Sequence, residues 1–531
     1  MRSIFLKEIT RLGLFFGFLI LVLALFFAWF SFDLSYKFGA IHPESVIWYG
    51  YVFFDNEPEF VTFAAISASF VCVALAQFLP QRSRIKCLLH LPVLSFQILI
   101  WHYIFAALFF VVIWAVFGAW LVFLASKFYP IVITKEVFIN WCYFCLSAAV
   151  FYIFTSSVLI DKRSLRAAIS SVIFVVVCFV VAFYVKSFAL LLVLLLISIL
   201  LGFNAFISHK ETSINLAFLL VIYAGILVVA GVGGYKFYEQ KFANKSERYY
   251  IFYSPSLKEF VFQENLGGHY FAYRSASGRV FKNETEYKNE LAFNYYMDLK
   301  QQGKMPVRIG DEVFDEADIR QARMSMTYAT KDVVPPKIPF YPLFNPDPKI
   351  SAIPFSEDMI YFDADKFRVF HHEGEEEGEF SQILNKDAKN LGVKFPIQAV
   401  FGRFTNLKPF DAGVFFKDNS GEFFNIKIYD NNVSFEAVKS LKNFEYLHIN
   451  ESKNSEFMGL AFNEGKIYLF SKEYELKELE TTQFDPDTMR LRVSFDPKYL
   501  QVRFDDGKDY RAYAFDKNSF EKIDEIHLKA K

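Results

Sequence analysis

The stretch RIKCLLHLPVLSFQILIWHYIFAAL, Arg84–Leu108, lies between two long apolar runs. A chain that merely recrosses a membrane needs only a polar loop to turn round. Here the cations Arg82, Arg84 and Lys86 are followed instead by a half-apolar segment that contains Pro92. What that segment does depends on what the apolar runs around it form.

Seven stretches carry no charged residue, roughly 12–32, 60–81, 98–126, 137–160, 167–185, 187–207 and 214–235. Each is long enough to cross ~30 Å of hydrocarbon as a helix of ~20 residues. The first follows the basic flank MRSIFLKEITR, which would suit a secretory signal. Its apolar core is too long for that and no A-x-A-like site follows, so it is expected to be a retained span. The sequence thus predicts an α-helical polytopic membrane domain of seven spans over 1–240, embedded in a lipid bilayer.

Cations in short loops set orientation. With the N-terminus inside, the inner segments hold Arg2, Lys7, Arg11, Arg82, Arg84, Lys86, Lys162, Arg163, Arg166 and Lys210, and the outer loops only Lys37, Lys127, Lys135 and Lys186. An odd number of spans then places the C-terminal part outside the cytoplasm. In a bacterium with two membranes that means an inner-membrane protein with a periplasmic domain.

Charge follows the same division. Residues 1–240 hold 15 Lys/Arg and 10 Asp/Glu, and residues 241–531 hold 41 and 47. The net charge of −1 therefore hides a first part near +5 and a second near −6. Neither has the clustered basic face of a nucleic-acid binder. All five Cys (72, 87, 142, 145 and 178) lie in the first part, which leaves the second without a disulfide scaffold or a thiolate metal cluster.

On this topology Arg84–Gln97 faces the cytoplasm, and Leu88, Leu89, Leu91, Pro92 and Val93 meet headgroups or a protein. The segment is either an interfacial helix entering span three or a coupling helix that docks on a separate ATPase. LLHLPVLS (Leu88–Ser95) resembles the LLSLPVSR-type segment that follows span two in type-2 ABC transporter permeases. Ser95 stands where that family often has Arg, and Trp101-His102 where it often has Gly-Lys. FLKEITR (Phe5–Arg11) resembles the family's amphipathic elbow, with Lys7, Glu8 and Arg11 as the matching residues. The whole chain is also similar to bacterial membrane proteins that accompany ABC systems and carry a periplasmic C-terminal domain. The resemblance implies an export subunit without enzymatic activity or cofactor, partnered by a cytoplasmic ABC ATPase subunit.

No ATPase is expected in this chain. The nearest approach to a Walker A loop is GLAFNEGKI, Gly459–Ile467, with five residues between the glycines and Ile in place of the Mg²⁺-binding Ser/Thr. Within the spans His102 is the one ionisable group well inside an apolar run, where an ion-driven carrier would place several. It is expected near the inner interface.

The second part repeats. Gly378, Gly421, Gly465 and Gly507 sit in short polar turns between aromatic-rich alternating stretches, at spacings of 43, 44 and 42 residues. Alternation across Ser-Gly, Glu-Gly and Asp-Gly turns predicts hairpins. Recurrence at this period matches the four-stranded blade of a β-propeller. A further hairpin, around Gly278, is out of phase. The expected layout is a mixed α/β region over 241–334, a Pro-rich connector over 335–355 and a mainly-β, propeller-like domain over 356–531.

His371 and His372, in HHEGEEEGE, are weak metal candidates, because neutral imidazoles beside carboxylates suit Zn²⁺ or Cu²⁺. A solvated acidic turn is the plainer reading, and no metal is expected. Asp430–Ser434 (DNNVS) fits an acidic-x-Asn-x-Ser glycosylation sequon. Asp33, His42, Glu44, Asp55 and Glu57, after span one, would suit a polytopic glycosyltransferase acting on lipid-linked sugars. Three functions therefore compete: an export permease subunit, a membrane-anchored scaffold whose outer domain binds a periplasmic protein partner, and that transferase.

Overall fold

A computed structural model describes residues 2–40, 56–85, 87, 95–162, 174, 176–178, 180–181, 186–209, 224–235, 248–268, 270–333, 339–346, 353–354, 356–371, 376, 378–429, 432–452 and 455–530. Contacts divide the chain into two compact units, Met1–Lys245 and Ser246–Lys531.

In the first unit, helices α1 (Arg2–Ala40), α2 (Asn56–Phe78), α3 (Ser95–Phe128), α4 (Ile131–Ile160) and α5 (Phe188–Ile207) are long and apolar enough to cross a membrane. They account for five of the seven expected spans. The stretches 167–185 and 214–235 fall largely outside the described residues, although 224–235 is a shorter apolar helix. Uniform apolarity is why these segments form helices that can sit in lipid: every backbone hydrogen bond closes within the segment. Their outward positions are large and apolar, with Leu14 93 % and Phe123 70 % exposed.

Inside the unit, α4 packs against α2, α3 and α5, and α1 packs against α3 and α2. Small residues allow the closest approaches, as is usual between helices in membranes. A Cβ on Gly118 would lie 2.6 Å from Trp141 Nε1, and one on Gly202 would lie 2.4 Å from the Tyr103 hydroxyl. Elsewhere rings fill the gap, as where Phe70 stacks on Phe110 at 3.6 Å.

The second unit is mainly β and built of open antiparallel sheets. Strands β1 (Tyr249–Ser254), β2 (Glu259–Gly267) and β3 (Tyr270–Ser275) form one meander. Strands β4 (Val307–Ile309) and β5 (Glu312–Phe314) form a small ribbon, and β6 (Met324–Tyr328) follows. Strands β7 (Phe340–Leu343), β8 (Asp358–Phe362) and β9 (Phe367–His371) form a second meander. The third is β10 (Ala399–Phe401), β11 (Val414–Lys417), β12 (Phe423–Tyr429) and β13 (Asn432–Ala437). The fourth is β14 (Tyr446–Ile449), β15 (Phe457–Asn463), β16 (Lys466–Ser471) and β17 (Leu476–Leu479). The last is β18 (Arg490–Phe495), β19 (Tyr499–Asp505), β20 (Asp509–Asp516) and β21 (Lys522–Lys529), with β6 added beside β18.

Neighbouring sheets share their cores. Phe367 with Phe416 and Phe424 joins the second and third meanders, and Phe415 with Phe470 joins the third and fourth. Leu460 and Phe462 with Val493 and Val502 join the fourth to the last, and Tyr253 and Phe260 with Tyr499 and Tyr510 join the last to the first. A strand between two cores is buried on both faces, so it reads as a continuous apolar run rather than an alternation. This explains Val414-Phe415-Phe416, in which Phe415 enters one cluster and its two neighbours the other.

Gly421, Gly465 and Gly507 sit in the expected hairpin turns, all at positive φ (84°, 75° and 86°), where a side chain is strained. Gly378 does not: it opens the helix Gly378–Leu391. The corresponding turn, between β8 and β9, is Asp363–Lys366 and has no glycine, being closed by Asp363 N–H to Lys366 O at 2.9 Å. The out-of-phase hairpin at Gly278 is reduced to a single bridge, Arg274 to Val280, beyond β3. The Pro-rich stretch is not all connector. It carries β7, where Pro342 is tolerated because β7 lies at the edge of its sheet.

Candidate functional site

Each unit offers one candidate site among the described residues. The first is a buried junction of α1, α2, a 3₁₀ turn over Leu79–Arg84, α3 and α4. Glu8, fully buried on α1, accepts hydrogen bonds from Arg11 Nη2 at 2.7 Å and Gln81 Nε2 at 3.0 Å. His102 on α3 brings Nε2 to 3.7 Å from Glu8 Oε1, and its Nδ1 is 2.8 Å from the Ile98 carbonyl.

Gln77, at the end of α2, is the hub. Its carbonyl oxygen accepts from Arg11 Nη2 at 2.9 Å and Gln81 Nε2 at 3.0 Å. Its side chain donates to the His102 carbonyl at 3.2 Å and accepts from the Tyr152 hydroxyl at 2.6 Å. Helix ends leave carbonyls without partners, and a cation there satisfies them and suits the helix dipole. Arg11 does this for α2.

The expected elbow residues Lys7, Glu8 and Arg11 therefore lie on the first turns of α1 itself, which runs unbroken from Arg2 to Ala40. Glu8 and Arg11 are in the junction, and Lys7 is exposed. His102 is 2 % exposed and belongs to the junction as well. Gln77, Gln81 and Tyr152 were not foreseen, since nothing local marks an uncharged polar residue as buried. The expected coupling residues Leu88, Leu89, Leu91, Pro92 and Val93 lie outside the described residues. The junction holds both flanks of that segment, Gln81 before it and His102 after it.

The second place is a cavity of about 1260 Å³ in the β unit. Its walls include Thr327 and Tyr328 of β6, Tyr341 of β7, Ala399–Phe401 of β10 and Tyr446–Ile449 of β14. Each of these strands is the outermost of its sheet, so four sheets present an edge strand to one space. Aromatic rings pack along part of this wall, with Tyr446 edge-on to Phe401 at 5.1 Å and to Tyr328 at 5.4 Å. The Tyr446 hydroxyl donates to the Asp332 carbonyl at 2.7 Å, and Arg403 donates to the carbonyls of Asn450 and Leu407. Burial pushes the His448 imidazole below its ordinary value, with Asp332 and Thr327 opposing.

Of the metal candidates, His371 sits opposite Asp358 across the β8–β9 pair, with Nδ1 2.9 Å from Asp358 Oδ1. His372 is outside the described residues, and among those described no three His, Cys, Asp or Glu are gathered as a metal site. Asn432 of the sequon is the exposed first residue of β13. Of the residues proposed for a transferase, Asp33 is on α1 and Glu57 on α2, and His42, Glu44 and Asp55 lie outside the described residues. The Walker-like GLAFNEGKI is the β15–β16 hairpin, with Gly465 at its turn.

Apolar helices of membrane-spanning length and a C-terminal mainly-β unit define a membrane protein with a large folded domain attached. Residues 250–515 match the family described as a domain of unknown function (DUF4857), and the chain belongs to that family. The match lies within the β unit, from β1 to β20 without β21, and does not reach the apolar helices. No curated protein and no solved structure matches the chain.

Proposed function

We propose that this chain is the permease-like subunit of a bacterial ABC-type export system, worked by a separate cytoplasmic ATPase. The observation that carries the reading is the buried junction of Glu8, Arg11, Gln77, Gln81 and His102. A coupling segment transmits force only if both its ends are fastened to spans, and this junction fastens them to each other and to the start of α1. Buried polar contacts in a membrane are costly to leave unmade, so they hold the helix ends in one arrangement.

The full arrangement in this proposal has seven spans, with the N-terminus in the cytoplasm and the β unit in the periplasm. The β unit is propeller-like, its sheets being blades that share cores and turn their inner edge strands toward the cavity. The observation behind that reading is the common cavity wall formed by β6, β7, β10 and β14. The experiment is purification from the native host in mild detergent, with identification of bound proteins. A partner with a Walker A loop is expected.

The cavity favours a second reading, an anchored scaffold whose outer domain binds a periplasmic partner. At about 1260 Å³ it exceeds the ~300–1,000 Å³ of small-ligand pockets. Edge strands are also the places where an extended peptide can add to a sheet. This reading takes the lead if no ATPase accompanies the wild-type chain.

A further inference from the structure

Three ionisable side chains meet in the β unit behind the cavity wall, next to its lining residues Arg403 and Asn450. Lys408 Nζ donates to Asp411 Oδ1 at 2.5 Å, to Glu451 Oε1 at 3.0 Å and to the Arg403 carbonyl at 2.8 Å. The three side chains are 1 %, 5 % and 0 % exposed, respectively, for Lys408, Asp411 and Glu451. The Phe344 ring covers the amine at 4.5 Å. Glu451 stands at φ 54°, a conformation a non-glycine residue adopts at a cost. Its Oε1 also accepts from Ala412 N–H at 2.7 Å, while its Oε2 is buried without a hydrogen-bond partner.

As a set of ions this is poorly balanced. Two carboxylates share one ammonium in direct contact, with the Lys427 amine also acting on Asp411 through space, and ions removed from water are stable only when fully compensated. Burial holds the Glu451 carboxyl up to about 7, with Lys408 opposing, so near neutral pH it can both take and give a proton. The 2.5 Å hydrogen bond from Nζ to Asp411 Oδ1 keeps the amine beside the carboxyl group it would attack, so the two groups need no diffusive encounter.

We propose that Lys408 and Asp411 condense spontaneously to an isopeptide bond, with Glu451 as the proton-transferring group. The Lys408 Nζ–Asp411 Cγ bond forms as one Cγ–Oδ bond breaks. Glu451 takes a proton from the amine and delivers one to the departing oxygen. Ammonium plus carboxylate become amide plus water, so atoms and charge balance without oxidant, activating nucleotide or metal. The product replaces two buried charges by a neutral amide and leaves Glu451 as the sole ionisable group.

The test uses the full-length chain purified in detergent, denatured and digested with trypsin. Cleavage after Arg403 and Lys417 gives the peptide 404–417, intact at Lys408 because Pro409 follows. The expected peptide is lighter than its sequence by one water, gives no backbone fragments between 408 and 411, and resists acetylation at Lys408. In Glu451→Gln the bond is expected to form ~10²-fold or more slowly, the usual contribution of a general acid–base group. A wild-type peptide of full mass overturns the proposal whether or not any variant folds. So does a water loss that hydroxylamine reverses and that leaves the 408–411 fragments intact, which marks a succinimide at Asp411. A water loss undiminished in folded Glu451→Gln overturns the role of Glu451.

Discussion

Glu8 Oε1, two turns into the first helix, accepts a hydrogen bond at 3.0 Å from Gln81 Nε2, 73 residues later in the chain. The contact ties the start of α1 to the 3₁₀ turn that follows α2, where the chain departs toward Leu88–Ser95. If it fixes that geometry, the two residues are energetically coupled. Glu8→Ala leaves Arg11 without its carboxylate inside the unit, a loss of ~3 kcal/mol by analogy with broken buried pairs. Tyr152→Phe removes only the donor to Gln77 and is expected to cost ~1 kcal/mol. Thermal unfolding of the detergent-solubilised chain checks both. A Glu8/Gln81 double-mutant cycle is expected to show coupling above ~0.5 kcal/mol.

Topology is tested by reporter fusions. A reporter active only in the periplasm is expected to work after Gln240 and to fail after Gln97 or Arg163. Activity at Arg163 would overturn the orientation and the cytoplasmic placing of the coupling segment.

The β unit, expressed as 246–531, is expected to fold alone into a mainly-β protein with no metal requirement, because its clusters close on themselves. A helical far-UV spectrum, or loss of structure on chelation, contradicts this.

Asp496 gives that unit a pH signature. It is 5 % exposed, and burial raises its carboxyl to about 6 from 3.8, against hydrogen bonds from Tyr499, Lys498 and Gln501. The folded state then holds this proton more tightly than the unfolded state. Its contribution to stability is full below about 3.8 and is lost as pH rises through about 6, by at most about 3 kcal/mol. Asp496→Asn keeps the acceptor and is expected to flatten stability across that window in denaturant titrations at several pH values.

How much of this was legible follows from where the information lies. Gly421, Gly465 and Gly507 announce their hairpins because the turns demand positive φ. Gly378 misled because glycine next to acids marks a turn or a helix start equally well, and the true turn at Asp363–Lys366 is closed without glycine. Five helices of spanning length, of the seven spans expected, were readable from charge-free length alone. The Gln77 hub was not, because its partners Arg11, His102 and Tyr152 come from three other helices. Lys408, Asp411 and Glu451 read as ordinary surface charges until β-sheet packing buries them together.

The most direct measurement of the central claim is ATPase co-purification with Leu89→Asp/Leu91→Asp, set against wild type and Ser95→Ala. Docking of this segment buries leucine methyls, and carboxylates in their place cost several kcal/mol if unpaired, which is orders of magnitude in association. The expected result is a Walker-A-bearing ATPase bound to the wild type and to Ser95→Ala and absent from the double variant, which still inserts and keeps a folded β unit. An ATPase retained by the double variant at the wild-type level would contradict the coupling role of Leu88–Ser95.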